Sequence, residues 1–322
     1  MSGVILKFIE LLSKINPLVP YYHVISDEYL PHILHLYPYK NVSNFIKDIE
    51  FFCRRFNSIG LDQIIDFVYR GKSLKKNSFI ITFDDGYSEC FYVIAPILYK
   101  KGIPGIFFIC SDFIDNKNLC YKNKASLLIA LLLKRKKDLI TEPIIPKEFS
   151  LEAKVKFIQN ISYKNRDMLD KIAAINEISW DEYLNNKKPY LTIQQLQEMK
   201  RMGFYFGAHS KDHPNFVELS IEEQIEQTRN SVFFIKEVLD LDYSLFAFPF
   251  NDRNISLEYF EKAKEFVDIS FGTYGILSDV IQWNLQRINF ERSLRAAEDI
   301  YLRKSIRKAL LRMQGKKFIK RK

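Results

Sequence analysis

The sequence predicts an α/β protein, a parallel barrel rather than a small sandwich, and three observations carry that expectation. Short, continuously apolar runs such as residues 78–83 and 105–110 recur along the chain and read as strands buried on both faces. Helical patterns separate them, giving strand–helix–strand units that imply parallel pairing. Polar residues stand where the runs stop, and in barrels of this kind functional groups sit at the C-terminal ends of strands.

Taken in order, the first strand covers residues 18–23. A helix spans 42–56, with Phe45, Ile49, Phe52 and Phe56 on one face, and a second runs near 61–69 and stops at Gly71. The strand 78–83 ends abruptly in Asp84-Asp85-Gly86. A short helix follows, with Pro96 suited to its first turn and Gly102 to its end, and leads into the strand 105–110. Cys110, which ends that run, reads as a core residue. From about 116 to 190 the chain becomes rich in Lys, Asn and Leu with mostly helical spacing. This insert is longer than a bare loop should be, and it reads as a lid, a wall of a substrate groove, or a structural extension. Alternation then resumes. A helix over 192–202 has Thr192 as N-cap and Gly203 as stop. The strand 204–209, the helix 220–239, the strand 245–248, the helix 256–266 and the strands 267–271 and 285–290 follow.

The charge balance is uneven. The 48 Lys and Arg exceed the 39 Asp and Glu by +9, yet residues 303–322 alone hold ten basic and no acidic side chains. The body is therefore near neutral, and a nucleic-acid-binding body is disfavoured. In the tail, Leu302, Ile306, Ala309, Leu310 and Met313 form an apolar stripe among Arg303, Lys304, Arg307, Lys308 and Arg312. The plainer expectation is a last helix packed on the barrel by that stripe, followed by a frayed tail. The alternative is peripheral membrane contact through the basic helix. The N-terminus lacks a basic signal-peptide region; Val4, Ile5, Phe8, Leu11, Leu12 and Ile15 recur at helical spacing instead. The longest apolar stretch, residues 125–133, is far shorter than the roughly 20 residues a bilayer needs. Four Cys without a Cys-x-x-Cys pair suit a reducing compartment, so a cytoplasmic location is expected.

Four polar groups mark the strand ends: His23, the Asp84-Asp85 pair, His209 with His213, and Pro249-Phe250-Asn251. Each has a plain reading, as a helix cap or an ordinary loop residue. Together they say more. Two adjacent carboxylates on a buried strand need a cation or donors to offset repulsion and desolvation. Two His four apart can lie on one side of a helical turn and chelate one metal ion. Two imidazoles and a carboxylate make the three-ligand set of a catalytic Zn²⁺ site with open positions.

Thr82-Phe83-Asp84-Asp85-Gly86-Tyr87 and His209-Ser210-Lys211-Asp212-His213 resemble the first two motifs of the polysaccharide deacetylase (NodB-homology) family of carbohydrate esterases. Phe246-Ala247-Phe248-Pro249-Phe250 is similar to the Phe-Ala-Tyr-Pro-Tyr segment of the poly-N-acetylglucosamine deacetylase subgroup. The resemblance covers roughly 18–111 and 190–292. It implies a distorted (β/α) barrel, with residues 1–322 as one catalytic domain. The helical insert would occupy about 116–189, and a basic helix and tail about 293–322. The implied activity is metal-dependent hydrolysis of N-acetyl groups on an N-acetylated sugar or polysaccharide. Asp85, His209 and His213 would hold a divalent ion, zinc by resemblance. Asp84 would be the general base, and a backbone N–H near Phe250 would stabilise the oxyanion.

Two departures bear on the remaining roles. Most members supply a general-acid His from a C-terminal Leu-x-x-His segment, but no His follows His213 here. The poly-N-acetylglucosamine subgroup carries a Tyr-His-x-Val segment ahead of the Asp-Asp motif; Tyr22-His23-Val24-Ile25 corresponds to it, which assigns the acid to His23. Many relatives place an Arg ahead of the Pro in the third motif, where Ala247 stands here; Arg287 in the late strand is the substitute for orienting the base. His32 and His35 receive no role. The other readings are a catalytically silent glycan-binding protein and an amidohydrolase acting on a non-sugar amide, because fold and metal do not fix the substrate.

Overall fold

The computed structural model describes residues 13, 15–134, 139–291 and 294–321, so most of the helical spacing expected at the N-terminus lies outside the described residues. Strand β1 (Pro20–Tyr22) leads to helix α1 (Val42–Arg55), strand β2 (Asn57–Ser58) and helix α2 (Leu61–Tyr69). Strands β3 (Ser78–Phe79) and β4 (Ile81–Phe83), helix α3 (Ala95–Lys100) and strand β5 (Gly105–Ile109) follow. The helix expected around Pro96 starts earlier, through a π-helical turn over Cys90–Ile94. The insert supplies α4 (Tyr121–Leu133), α5 (Leu151–Gln159), α6 (Asp167–Ile175) and α7 (Trp180–Lys187). The second half runs α8 (Ile193–Arg201), β6 (Tyr205–Ala208), α9 (Ile221–Leu239), β7 (Leu245–Ala247), α10 (Leu257–Ala263) and β8 (Ile269–Gly272). It finishes with β9 (Asn284–Gln286), β10 (Ile288–Asn289) and α11 (Ala297–Met313). Thr192 caps α8 as expected: its side chain accepts from the Gln195 N–H while Gln195 reaches back to the Thr192 N–H.

All neighbours in the main sheet are parallel, in the order β10-β1-β4-β5-β6-β7-β8-β9. Its two end strands are consecutive in the chain with only Arg287 between them. β9 pairs with β8 and β10 pairs with β1, so one extended segment closes the ring. Alternate residues face opposite ways along each strand. In β5, Phe107 packs outward with Phe83 and Phe206 under the helices, whereas Phe108 points inward and meets Phe271 of β8 across the barrel, ring centres 5.1 Å apart. Gly207 in β6 leaves room for that ring, since a Cβ there would lie 2.6 Å from Phe108. Helix α2 brings Leu61 and Ile64 to the same inner cluster. The insert builds a separate apolar cluster around Leu128, Ile129, Ile158 and Ile172, joined to the barrel through Val24, Tyr87 and Cys110. Cys110 is buried, as its place at the end of an apolar run implied.

The C-terminal region departs from expectation twice. Helix α11 packs on α1 and buries Ala297, Ile300, Tyr301, Ser305, Lys308 and Ala309, of which only Ala309 belongs to the predicted stripe. Ile306, Leu310 and Met313 face outward. The small residues let the helix come close, and the Tyr301 ring meets Phe56 edge-on at 5.1 Å and Phe51 at 6.0 Å. Second, the tail is not frayed. Phe318 bridges Ser278, Ile319 is buried, and the Arg321 side chain is 1% exposed between Asp252 and Asp279. Asn284 and Gln286 donate to the same two carboxylates. Burial works to raise the Asp252 carboxyl, but the Arg321 charge and these donors hold it below the ordinary range. The tail guanidinium thus pairs at once with two buried carboxylates next to β9. Removing one partner of such a pair leaves uncompensated charge, at a cost of roughly 3–5 kcal/mol. Arg321→Gln is expected to lower unfolding stability by that order in urea denaturation at neutral pH, where a dangling tail would give no measurable change.

Candidate metal centre and active site

The barrel brings every predicted site residue to one end. His23 follows β1, Asp84 and Asp85 follow β4, His209 follows β6, Phe250 lies beyond β7, and Arg287 joins β9 to β10. These are C-terminal strand ends. They line a cleft of about 360 Å³, apart from Arg287, which reaches Asp84 from behind. One wall comes from the inserted segment, through Lys122, Asn123 and Gln159, next to Phe113. Several residues here hold positive φ: Asp85 at 71°, Ser210 at 67°, His213 at 62° and Phe250 at 55°. Such backbone is costly for a non-glycine residue and persists where the surroundings over-determine it, as at functional sites.

Asp85, His209 and His213 offer three ligand atoms within 4.8 Å of one another. Contrary to the helical-turn expectation, the two His stand on the irregular loop after β6. The left-handed turns at Ser210 and His213, and the His213 N–H donating to Ser210 Oγ at 3.0 Å, fold that loop back. His209 Nδ1 lies 2.9 Å from the Ala247 carbonyl oxygen, which can only accept, so this nitrogen carries the proton. Its Nε2 lone pair then faces Asp85 Oδ1 at 3.4 Å, and His213 Nε2 lies 3.3 Å from the same oxygen. Asp85 Oδ1 is buried and makes no hydrogen bond. Two acceptors pointed at each other in a buried site call for a cation between them. Burial pushes His209 down to about 4 in spite of Asp84 and Asp85, so it is the neutral imidazole that a ligand must be. For Asp85, burial acts to raise the carboxyl, but His213 and the other imidazoles outweigh it and hold it well below the usual range. The donor set fits a divalent ion.

Asp84 is buried beside this set and ion-paired on its other side. Arg287 Nη1 donates to Asp84 Oδ1 at 2.6 Å and Nη2 to Oδ2 at 2.9 Å, and Nη1 also lies 3.3 Å from Thr82 Oγ1. The guanidinium is fully buried over the Tyr21 ring at 4.8 Å and the Phe108 ring at 5.3 Å. Burial alone would raise Asp84; the Arg287 charge, then His209, lowers it, so Asp84 is ionised at neutral pH.

His23 lies across the cleft with a partner that the sequence reading missed. The buried Glu291, just past β10, accepts from His23 Nδ1–H at 2.6 Å and from the backbone N–H groups of His23 and Val24 at 3.2 and 3.0 Å. Nε2 is therefore the free nitrogen of the ring. Burial disfavours the imidazolium, but Glu291, aided by Asp85 and Asp84, reverses that and lifts His23 to about 9. The rule that singled out Asp84 and Asp85, a carboxylate just past a barrel strand, applies equally to Glu291. Tyr37 was also missed: its ring packs 4.8 Å from His23, and its Oη stands 3.5 Å from Asp85 Oδ2. The Phe250 ring lies tilted at 60° to the His213 ring, centres 4.8 Å apart, and no described residue accepts the Phe250 backbone N–H. His32 is buried against Tyr183 away from the metal ligands, and His35 lies at the cleft wall.

The polysaccharide deacetylase family matches residues 71–266. No curated protein matches the chain. Among solved structures, it is similar to the Streptococcus pyogenes deacetylase PplD in complex with acetate, at 13% identity and a TM-score of 0.59, over 90% of this chain and 97% of that one. IcaB from Ammonifex degensii is similar at 14% identity and a TM-score of 0.53, over 90% and 96% of the two chains. A de-N-acetylase from Aggregatibacter actinomycetemcomitans is similar at 15% identity and a TM-score of 0.53, over 88% and 98%. At these identities the structural likeness establishes the shared barrel. The sequence match spans more than half of the chain, including Asp84, Asp85, His209 and His213 of the cleft, and on that ground the chain belongs to the polysaccharide deacetylase family.

Proposed function

We propose that this protein is a metal-dependent hydrolase that removes N-acetyl groups from an N-acetylated glycan. One observation carries the reading: a metal-competent Asp-His-His set flanked in a single cleft by a carboxylate held ionised and an imidazole held protonated. A divalent ion on Asp85, His209 and His213, zinc by the character of the donors, supplies Lewis acidity and lowers the pKa of water.

The chain's own groups do the rest. Asp84, aligned by the Arg287 fork, accepts a proton from the attacking water. The water oxygen bonds to the acetamide carbonyl carbon, and the Phe250 N–H donates to the developing oxyanion, an interaction worth about 3 kcal/mol when fixed in place. His23 then delivers its Nε2 proton to the amide nitrogen as the C–N bond breaks, because an amide anion cannot leave at neutral pH. Acetate and a free sugar amine result. Glu291 keeps His23 charged for this step and fixes the ring so that Nε2 faces the cleft.

Asp84→Asn should reduce acetate release from a chitooligosaccharide by about 10²–10⁴-fold with bound metal unchanged on elemental analysis. Equal rates in the variant and the parent would remove Asp84 from the role of base. His209→Ala should lose the metal itself. The His23 pair makes a pH prediction. A group raised from 6.5 to about 9 is a competent acid below that value and fails as pH rises through it. A bound divalent ion lowers this pKa in parent and variant alike, so both are compared metal-loaded. In Glu291→Gln the alkaline limb of the kcat profile should move to lower pH by at least about one unit. An unmoved limb would mean that another group is the acid.

A further inference from the structure

Next to the cleft lies a second cavity of about 430 Å³ whose lining contains cations and no carboxylate. Arg303, Lys304 and Arg307 project into it from one face of α11, with Ile300 and Leu311 at the same helical spacing. Arg253 and Arg295 complete the basic lining. Among the described residues, none of these five side chains has an ion-pair partner; Arg253 rests only on the Tyr274 ring, at 4.9 Å. Arg287 also lines the cavity, but its charge is committed to Asp84. Like charges three and four apart on a helix destabilise it, and soluble surfaces ordinarily intersperse the two signs. Asp299 stands one turn before Arg303 but, among the described residues, forms no ion pair with it. Burial, then the neighbouring Arg307, pushes the Lys304 ammonium below its ordinary value. The cavity adjoins the catalytic groups: Tyr21 and Thr273 line both spaces. A sugar whose acetamide reached the metal set could extend a substituent past Tyr21 into the basic space.

We infer that this cavity receives a phosphoryl group carried by the substrate, so that the sugar deacetylated is a phosphorylated one, as a phosphate monoester or in a diphosphate linkage to a carrier. The inference rests on the deacetylase reading for the chemistry and on the cavity for the anion. Guanidinium forks match phosphate oxygens two at a time, and several converging on one space suit a group of more than one negative charge better than a single carboxylate. A phosphate on an anionic lipid headgroup would satisfy the same side chains, so the test separates the two sources.

The test compares the metal-loaded full chain with Arg303→Gln/Arg307→Gln. A second variant, Lys316→Gln/Lys317→Gln, removes equal charge from the tail outside the cavity. Inorganic phosphate binding is measured by calorimetry, and acetate release is followed from N-acetylglucosamine and N-acetylglucosamine 1-phosphate. The parent should prefer the phosphorylated sugar in kcat/KM by about 10–100-fold, as expected for one or two charge-assisted hydrogen bonds. The cavity variant should lose that preference through KM, lose phosphate binding, and retain turnover of the neutral sugar; the tail variant should behave as the parent. Equal use of both sugars by the parent, or phosphate binding that survives in the cavity variant, overturns the inference and leaves the deacetylase reading intact. If neither of these sugars nor the chitooligosaccharide releases acetate, the deacetylase reading fails, and phosphate binding lost in the cavity variant alone still supports the anion site. Sedimentation with phosphatidylglycerol vesicles decides the source. Vesicle binding lost in the cavity variant, with no phosphate preference among sugars, assigns the cavity to a lipid headgroup and overturns the glycan assignment.

Discussion

A buried guanidinium–carboxylate pair, Arg287 with Asp84, joins the architecture to the chemistry. Neither ion is tolerable alone at zero or near-zero exposure; each desolvation cost is met by the other, in a bidentate geometry that also fixes the carboxylate. The pair needs Arg287 to point into the barrel, and it does so because it sits between the half-strand that pairs with β8 and the half-strand that pairs with β1. Gly207 and the inward Phe108 leave the space, and the guanidinium rests on the Phe108 ring. Sheet closure and alignment of Asp84, the proposed general base, are one structural event.

The cleft holds Asp84 and His23 in opposite charge states by giving each a partner of opposite sign. Asp84 faces a permanent cation and stays ionised; His23 faces the buried Glu291 carboxylate and stays protonated. Burial opposes the charged form of both, so the specific partners outweigh desolvation in each case. Pairs of groups whose environments drive their pKa values apart mark an acid and a base. His209 shows the opposite balance: no partner overcomes burial, and the ring is neutral, ready to donate a lone pair.

Much of this was legible in the sequence because the relevant signals are local. An apolar run ending in Asp-Asp-Gly announces a buried strand with a functional tip, and the capping pattern at Thr192 marks a helix start without tertiary help. What escaped depends on distant contacts. Glu291 sits 268 residues from His23, and nothing in its own neighbourhood names a partner. Arg321 resembles any other basic tail residue until Asp252 and Asp279 are brought beside it. The face of α11 was misjudged because hydrophobicity alone favoured Ile306, Leu310 and Met313, whereas the contact with α1 selects small residues around one aromatic ring. The His pair was read as a helical chelate from spacing, but two left-handed residues let a loop span the same interval.

The late position of the closing segment has a consequence for biogenesis. A ribosome must deliver strands β1 to β8 before β9 and β10 exist, and until then β1 and β8 present unsatisfied hydrogen-bonding edges. Pairings of such long sequence separation are the slow ones. The same stretch brings Arg287, and Glu291 follows directly after it, so in a nascent chain Asp84 lacks its guanidinium and His23 its carboxylate until the ring shuts. The proposed base and the proposed acid thereby gain their charge partners in one late step.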